Sequence, residues 1–335
     1  MNRQFIAKHW YASVYEQFET QTDDVDFLLK VLREHLTSSG SGGNGSDGSG
    51  SSNNGSGGSN NGSGGSGSND SGSSGGSPLN ILEAACGGGR ICVPLAQALT
   101  GCNITGFDAD EHMLLRCYNK MRGIPNIRCY QADALESGVG CGGGCKGGCR
   151  GGSGSGCECG RSCGWDADYD IVIMAGNVLI NIESEKYMDY AEAQQIFIRK
   201  AAATLRSGGH LYLDYDQHSD ASAREMFNGL GEHSYFSGVD DLGTSGRTVS
   251  WGGAYDPVTR IWSGIGHWEI VANNGERFIY AEKPRYKHIP PLGQVYGWLD
   301  AAGLTVEKTY RNFTSEPLSE HEEGCVRATI WAKKQ

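Results

Sequence analysis

The chain has 335 residues, including 52 glycines and 12 cysteines, and its formal net charge at pH 7 is −11. An acidic balance of this size disfavours a large electrostatic surface for nucleic acid, which requires a basic face. Because the N-terminus lacks a long apolar run, we predict neither a signal peptide nor a membrane span and expect a cytoplasmic protein.

The first segment, residues 1–36, is predicted to be a helical lid. It begins with an aromatic-rich stretch from Trp10 to Phe18, and its second half, from Phe27 to Leu36, has the apolar spacing of a helix. Residues 37–78 follow and consist almost entirely of Ser, Gly and Asn with a few Asp. A segment this poor in apolar groups cannot offset its ordering entropy, so we predict a disordered linker without a binding role.

Order is predicted to return with the apolar run Leu79–Leu82, the loop Glu83–Arg90 and the helical run Ile91–Ala96. This pattern of strand, glycine turn and helix lets a nucleotide-like ligand lie against bare backbone at the start of a helix. The dinucleotide pattern is only half matched, because Cys92 stands where its third glycine would be. Two acids, Asp108 and Asp133, follow the next two short apolar strands, where they could meet the ribose and the adenine of one adenosine.

These three motifs, in this order, resemble those of the class I S-adenosylmethionine-dependent methyltransferases. The resemblance implies that Glu83 and the loop Ala85–Gly89 hold the methionine end of the cofactor. It further implies that Asp108 binds the ribose, that Asp133 and Ala134 bind the adenine, and that an aromatic hydroxyl of the lid closes the site. The predicted cofactor-binding residues are Tyr11, Glu83, Ala85, Cys86, Gly87, Gly89, Asp108, Ala109, Met113, Asp133, Ala134, Met174 and Ala175. For the lid aromatics Tyr11 and Tyr15, simple packing onto the core is an equal alternative.

Residues 137–165 form a second glycine-rich insertion that contains six cysteines. Thiolates at this density can bind a soft ion, but their spacing differs from the paired C-x2-C of a zinc ribbon. The alternative, which we favour, is an unstructured insertion with reduced thiols. The candidate metal ligands are Cys141, Cys145, Cys149, Cys157, Cys159 and Cys163.

The continuous apolar run from Ile171 to Asn177 predicts a buried parallel strand whose carboxyl end faces the ligands. The resembling DNA amino-methyltransferases carry an Asn/Asp-Pro-Pro-aromatic motif at this position, and this chain does not. Methylation of a DNA base is therefore disfavoured. After a helix, the strand from His210 ends in Asp214, Asp216 and His218, where a carboxylate could orient an ammonium group and the imidazole could accept its proton. A hydrogen-bonded strand end is an equally good explanation. The candidate catalytic residues are Asn177, His218 and Tyr15.

Residues 245–290 show the alternation of antiparallel strands, with an Asn-Gly hairpin turn, and resemble the β-lobe of glycine N-methyltransferase and the amino-sugar dimethyltransferases. A helix and two closing strands complete the chain. The resemblance implies an α/β fold with a Rossmann-like seven-stranded sheet in the order 3-2-1-4-5-7-6, an antiparallel lobe inserted after the fifth strand, and a methyltransferase domain over residues 79–333.

The predicted function is methyl transfer from S-adenosylmethionine to a small-molecule acceptor, in particular an amine nitrogen, by direct in-line displacement. We expect neither nucleic acid nor membrane as a partner, and the sequence says nothing about oligomeric state. Three alternatives stay open: a metalloid or thiol methyltransferase that uses the cysteine-rich insertion, a non-catalytic S-adenosylmethionine-binding protein, and a soft-metal-binding protein.

Overall fold

The computed structural model describes residues 2–40, 78–136, 165, 168–182, 190–227, 231–319 and 322–335. Most of the predicted linker and of the cysteine-rich insertion, including all six of its cysteines, lies outside the described residues. The helices are α1 (Arg3–Phe18), α2 (Asp23–Gly40), α3 (Cys92–Ala98), α4 (Glu111–Lys120), α5 (Val178–Asn181), α6 (Tyr190–Thr204), α7 (Asp220–Phe227) and α8 (Leu292–Ala301). The strands are β1 (Leu79–Ala84), β2 (Cys102–Asp108), β3 (Ile127–Gln131), β4 (Tyr169–Met174), β5 (Leu205–His218), β6 (Ser237–Val239), β7 (Ser245–Asp256), β8 (Ile261–Val271), β9 (Arg277–His288), β10 (Leu304–Arg311) and β11 (Cys325–Lys334).

Seven strands form the central sheet in the order β10-β11-β5-β4-β1-β2-β3. Strands β1 to β5 pair in parallel, whereas β11 runs antiparallel to both β5 and β10. This is the predicted order with its closing edge hairpin, so the predicted fold class is confirmed. Because the first five strands are parallel, their carboxyl ends meet at one edge, where ligands of open α/β sheets bind.

Strand β5 begins at Leu205, earlier than the predicted start at His210. The pair Gly208-Gly209 lies within this strand. A Cβ at Gly209 would stand 2.9 Å from the carbonyl oxygen of Asp170, so the glycine permits a close approach of β5 to β4.

The second sheet contains β6 to β9 in sequential antiparallel order and follows β5 in the chain, as predicted. Helix α1 joins this lobe to the main sheet. On one side, the buried Trp10 packs with Ile270 and Phe278 and donates a hydrogen bond from Nε1 to the carbonyl of Gly238 at 3.1 Å. On the other side, Glu16 accepts from Arg116 of α4 at 2.6 Å.

Within the described residues, none of the helices is long and apolar enough to cross a membrane. The segment boundaries predicted for the lid, the linker, the insertion and the lobe stay predictions.

Glu83 at the end of β1 fixes the start of α3. Its carboxylate Oε2 accepts a hydrogen bond from the backbone N–H of Cys92, the first residue of that helix, at 2.9 Å. The side chain is buried, and burial raises its pKa from 4.5 to about 8 while the Cys92 hydrogen bond opposes the rise. At neutral pH, Glu83 is therefore mainly protonated in the folded protein.

We predict that Glu83→Gln flattens the pH dependence of stability. The pKa of Glu83 is raised on folding, so its proton stabilises the native state fully below about pH 4.5, and this contribution is lost as pH rises through about 8. Glutamine keeps the acceptor for Cys92 but does not titrate. Urea unfolding between pH 5 and 8 should therefore show the wild type losing up to a few kcal/mol relative to Glu83→Gln. The exposed Glu282→Gln is the matched control and should follow the wild type; a parallel decline in Glu83→Gln would contradict the assignment.

Candidate functional site

The loop between β1 and α3 is built from left-handed backbone. Ala85, Gly87 and Gly89 have φ angles of 59°, 53° and 79°. The two glycines serve different purposes. A Cβ at Gly87 would meet no atom within 4 Å, whereas one at Gly89 would stand 2.7 Å from Sγ of Cys117. Gly87 thus leaves open space at the strand end, and Gly89 allows the loop to pack on α4.

Asp108 joins the loops that follow β1 and β2. Its Oδ2 accepts from the N–H of Gly87 at 2.8 Å, and its Oδ1 accepts from the N–H of Asp110 at 2.8 Å. Burial raises the pKa of Asp108, and these two backbone hydrogen bonds oppose the rise. Asp110 in turn caps α4, where Met113 is buried, while Ala109 between the two acids is exposed.

Asp133 follows the neighbouring strand β3. Its Oδ1 accepts from the N–H groups of Leu135 and Glu136, at 2.7 and 3.0 Å, so the carboxylate shapes the turn in which it lies. The carbonyl of Ala134 in that turn accepts from the indole N–H of Trp165 at 2.8 Å. The predicted cofactor-binding residues that follow β1, β2 and β3 therefore lie along the ends of adjacent strands.

The end of β4 turns sharply away from the sheet. Met174 and Ala175 are buried, and Asn177, with a φ angle of 64°, is left-handed. Its side-chain amide forms two hydrogen bonds with Asp216 of β5. Nδ2 of Asn177 donates to Oδ2 of Asp216 at 2.5 Å, and Oδ1 of Asn177 accepts from the backbone N–H of Asp216 at 2.7 Å. These contacts fix the Asn177 side chain between the ends of β4 and β5.

Arg327 of β11 bridges two carboxylates of β5. Its Nη1 lies 3.0 Å from Oδ1 of Asp214, and its Nε lies 3.0 Å from Oδ1 of Asp216. Asp214 is fully buried, and burial raises its pKa to about 6 although Arg327 opposes the rise. Sequence reasoning missed Arg327. The available signal was the antiparallel register, which sets Arg327 directly opposite Asp216.

His218 ends β5 and is buried. Its Nδ1 lies 3.2 Å from the hydroxyl of Ser222, and its Nε2 lies 3.6 Å from the thiol of Cys325. Burial lowers the pKa of this imidazole, while the charge of Asp216 opposes the shift. His218 is therefore uncharged at neutral pH, which is the form that accepts a proton.

The two candidate lid tyrosines pack beside each other, and both contact Phe236. The ring of Tyr11 stacks on Trp268 of the lobe, with 4.4 Å between centroids and 10° between planes. Tyr15 is half-buried. Its ring stacks on that of Tyr11, with 6.0 Å between centroids, and meets Phe236 edge-on at 6.2 Å. Burial and then the carboxylate of Glu19 raise the pKa of Tyr15, and the charge of Asp108 adds a smaller effect.

Arg90, directly after the glycine loop, ties that loop to the lid. Its guanidinium forms a two-pronged ion pair with Asp24 near the start of α2, with contacts of 2.8 and 2.7 Å. Bidentate pairs of this kind also fix orientation.

The individual site assignments of the sequence stay predictions, and the candidate metal ligands Cys141 to Cys163 lie outside the described residues.

Comparison with known proteins gives a family match over part of the chain and several similar solved structures. Residues 81–144 match a family model described as a methyltransferase domain. A search of curated proteins finds no match by sequence. Among solved structures, an S-adenosylmethionine-dependent methyltransferase from Clostridium acetobutylicum is 14% identical, with a TM-score of 0.49 and coverage of 76% of this chain and 83% of that one.

Two further solved structures are similar at the same level. The CcbJ methyltransferase from Streptomyces caelestis is 16% identical, with a TM-score of 0.49 and coverage of 76% and 84% of the two chains. The sugar N-methyltransferase KedS8 from Streptoalloteichus sp. is 14% identical, with a TM-score of 0.47 and coverage of 75% and 80%.

The family match begins in β1 and includes the glycine loop, Asp108 and Asp133, and these residues stand in a sheet of the expected strand order. Residues 81–144 are therefore similar to a methyltransferase domain, and the strand order of the central sheet confirms the fold predicted from the sequence.

Proposed function

We propose that the protein transfers a methyl group from S-adenosylmethionine to a nitrogen atom of a small amine, by direct in-line displacement. The donor would lie along the ends of β1, β2 and β3, where the loop at Gly87 leaves room for a ligand. Asp108 keeps a carboxylate at the end of β2, and each of its oxygens has a lone pair beyond the one used by the backbone N–H groups. The residues present thus fit a ribose bearing two hydroxyl groups.

The observation that carries the choice of acceptor is the charge of the group at the ends of β4 and β5. In the described part of the chain, Asp214 and Asp216 both pair with Arg327, while the nearby Arg260 and Arg90 are already paired with Asp220 and Asp24. With both aspartates ionised, Asp214, Asp216 and Arg327 together carry a net charge of −1. Such a site favours a cationic or neutral acceptor, as an amine is, and disfavours an anionic one.

S-adenosylmethionine, when bound, supplies an activated methyl group on a positively charged sulfur atom. The chain's own residues then have to orient the acceptor and remove its proton, because only a neutral amine has a free lone pair. In this proposal Asp216, held by Asn177 and Arg327, orients the ammonium group, and the uncharged His218 accepts the proton. Tyr15 closes the donor side, and no covalent enzyme intermediate is required.

We predict that Asp108→Asn weakens S-adenosylmethionine binding by about 10- to 150-fold, since hydrogen bonds to a charged group contribute about 1.5–3 kcal/mol. Titration calorimetry of the folded variant measures the change. Asp300→Asn, at an exposed position on α8, is the control and should bind as the wild type does. An unchanged affinity in Asp108→Asn would contradict the assignment of Asp108 to the S-adenosylmethionine site.

The acceptor is tested by following a tritiated methyl group from S-adenosylmethionine into a panel of primary and secondary amines, hydroxyl compounds, thiols and arsenite. We expect label in amines. His218→Gln should lower kcat/KM for the amine by about 100- to 10,000-fold, the usual contribution of a positioned acid or base. His210→Gln, which changes a buried histidine nearer the start of β5, is the matched control and should retain activity.

Two results of this screen would contradict the proposal. Transfer to thiols or arsenite with no transfer to amines would assign a different acceptor. Binding of S-adenosylmethionine without turnover on the whole panel would favour a non-catalytic binding protein.

A further inference from the structure

Four cysteines from distant parts of the sequence meet behind the glycine loop. They are Cys86 in the loop after β1, Cys92 at the start of α3, Cys117 in α4 and Cys129 in β3. All four sulfur atoms lie within 4.8 Å of one another, and those of Cys117 and Cys129 are 3.3 Å apart. We call this group the four-cysteine cluster; each of its members is a free thiol.

The surroundings of the four-cysteine cluster are mostly apolar, and the buried carboxyl group of Glu83 lies beside Cys92. Cys86, Cys92 and Cys117 are buried and Cys129 is half-buried, among side chains such as Ile104 and Leu114. Within the described residues, no histidine or carboxylate belongs to the cluster. A purely sulfur donor set selects soft or borderline ions and disfavours magnesium and calcium, which require oxygen ligands.

Two glycines make room for the sulfur atoms. A Cβ at Gly89 would stand 2.7 Å from Sγ of Cys117, and a Cβ at Gly106 would stand 2.9 and 3.0 Å from Sγ of Cys86 and Cys129. Gly106 lies within β2, which pairs with β1 and β3. A glycine inside a strand weakens it and often marks a close approach of neighbouring atoms. The close approach of three thiols at these two glycines is of this kind.

The separations suit a tetrahedral ion. Zinc binds thiolate sulfur at about 2.3 Å, so four sulfurs around one ion lie about 3.8 Å apart. Starting from the spacing of the free thiols, the sulfur atoms of Cys117 and Cys129 need to separate by only about 0.5 Å. Four thiolates fill all four positions of the ion, which is the arrangement of structural zinc sites and not of catalytic ones.

We propose that Cys86, Cys92, Cys117 and Cys129 bind one zinc ion and form a closed structural site behind the methyl donor loop. Each thiol releases its proton to solvent as it binds, so the loaded site carries a net charge of about −2. Lys120, one turn after Cys117 on α4 and paired with Glu16, is a nearby cation. Because Cys86 and Cys92 flank Gly87 to Arg90, the ion would fix both ends of the loop against α4 and β3.

The test uses the full chain and must separate this cluster from the six cysteines of the insertion. The parent protein for the test therefore carries Cys141→Ser, Cys145→Ser, Cys149→Ser, Cys157→Ser, Cys159→Ser and Cys163→Ser. We expect plasma mass spectrometry of this parent, purified under reducing conditions, to find about one zinc per chain. Replacement by cobalt should give the sulfur-to-metal charge-transfer absorption and visible bands of a tetrahedral thiolate site.

Adding Cys117→Ser and Cys129→Ser to the parent should reduce the bound metal at least tenfold. Cys102→Ser is the matched control, because Cys102 is also buried but lies outside the cluster, and it should keep the metal. If the double variant does not fold, the metal content of the parent, whose cluster is intact, decides alone. Two results would overturn the proposal. One is a folded parent that binds no zinc and shows no thiolate spectrum with cobalt, and the other is a disulfide between Cys117 and Cys129.

Discussion

The carboxylate of Asp108 is the contact on which the donor side of this molecule depends. It accepts one backbone N–H from each of two loops, those of Gly87 and Asp110, and so joins the ends of β1 and β2 at a fixed distance. The left-handed turn at Gly87 could not be held in this position by apolar packing, since its outer side faces open space. The same charged group that shapes the site is therefore the one proposed to bind the donor. Burial raises its pKa, and the two N–H groups keep the ionised form accessible.

The acceptor side is built on a different principle. There the ends of β4 and β5 are held by paired charges, with Arg327 reaching across from the antiparallel strand β11. This explains why the closing hairpin of the fold matters for function: without β11 beside β5, Asp214 would be a buried carboxylate without a cation. Helix α1 then spans the two sides, because Trp10 anchors it in the lobe and Glu16 pairs with α4. The groups proposed to bind the donor and the acceptor thus share one edge of the sheet.

Local patterns in the sequence were sufficient for the individual strands and for the glycine loop, whereas the strand order came from the resemblance to a known family. Apolar runs, glycine turns and acids at strand ends are short-range signals, and a parallel sheet brings those ends together whatever connects them. Arg327 could not be found in this way, since it lies 113 residues from Asp214 and meets it only through strand pairing. The four-cysteine cluster was missed for the same reason. Cys86 lies in a loop, Cys92 and Cys117 lie in two helices and Cys129 lies in a strand, and their spacing in the sequence does not match the paired C-x2-C of a zinc ribbon.

A crystal structure with S-adenosylhomocysteine bound is the most direct measurement of how the two sides work together. We expect the ribose hydroxyl groups on Asp108 and the sulfur atom directed toward Asn177 and Asp216, with space between them for a small amine. A ribose bound elsewhere, or a sulfur atom directed away from the ends of β4 and β5, would contradict the assignment of donor and acceptor sides.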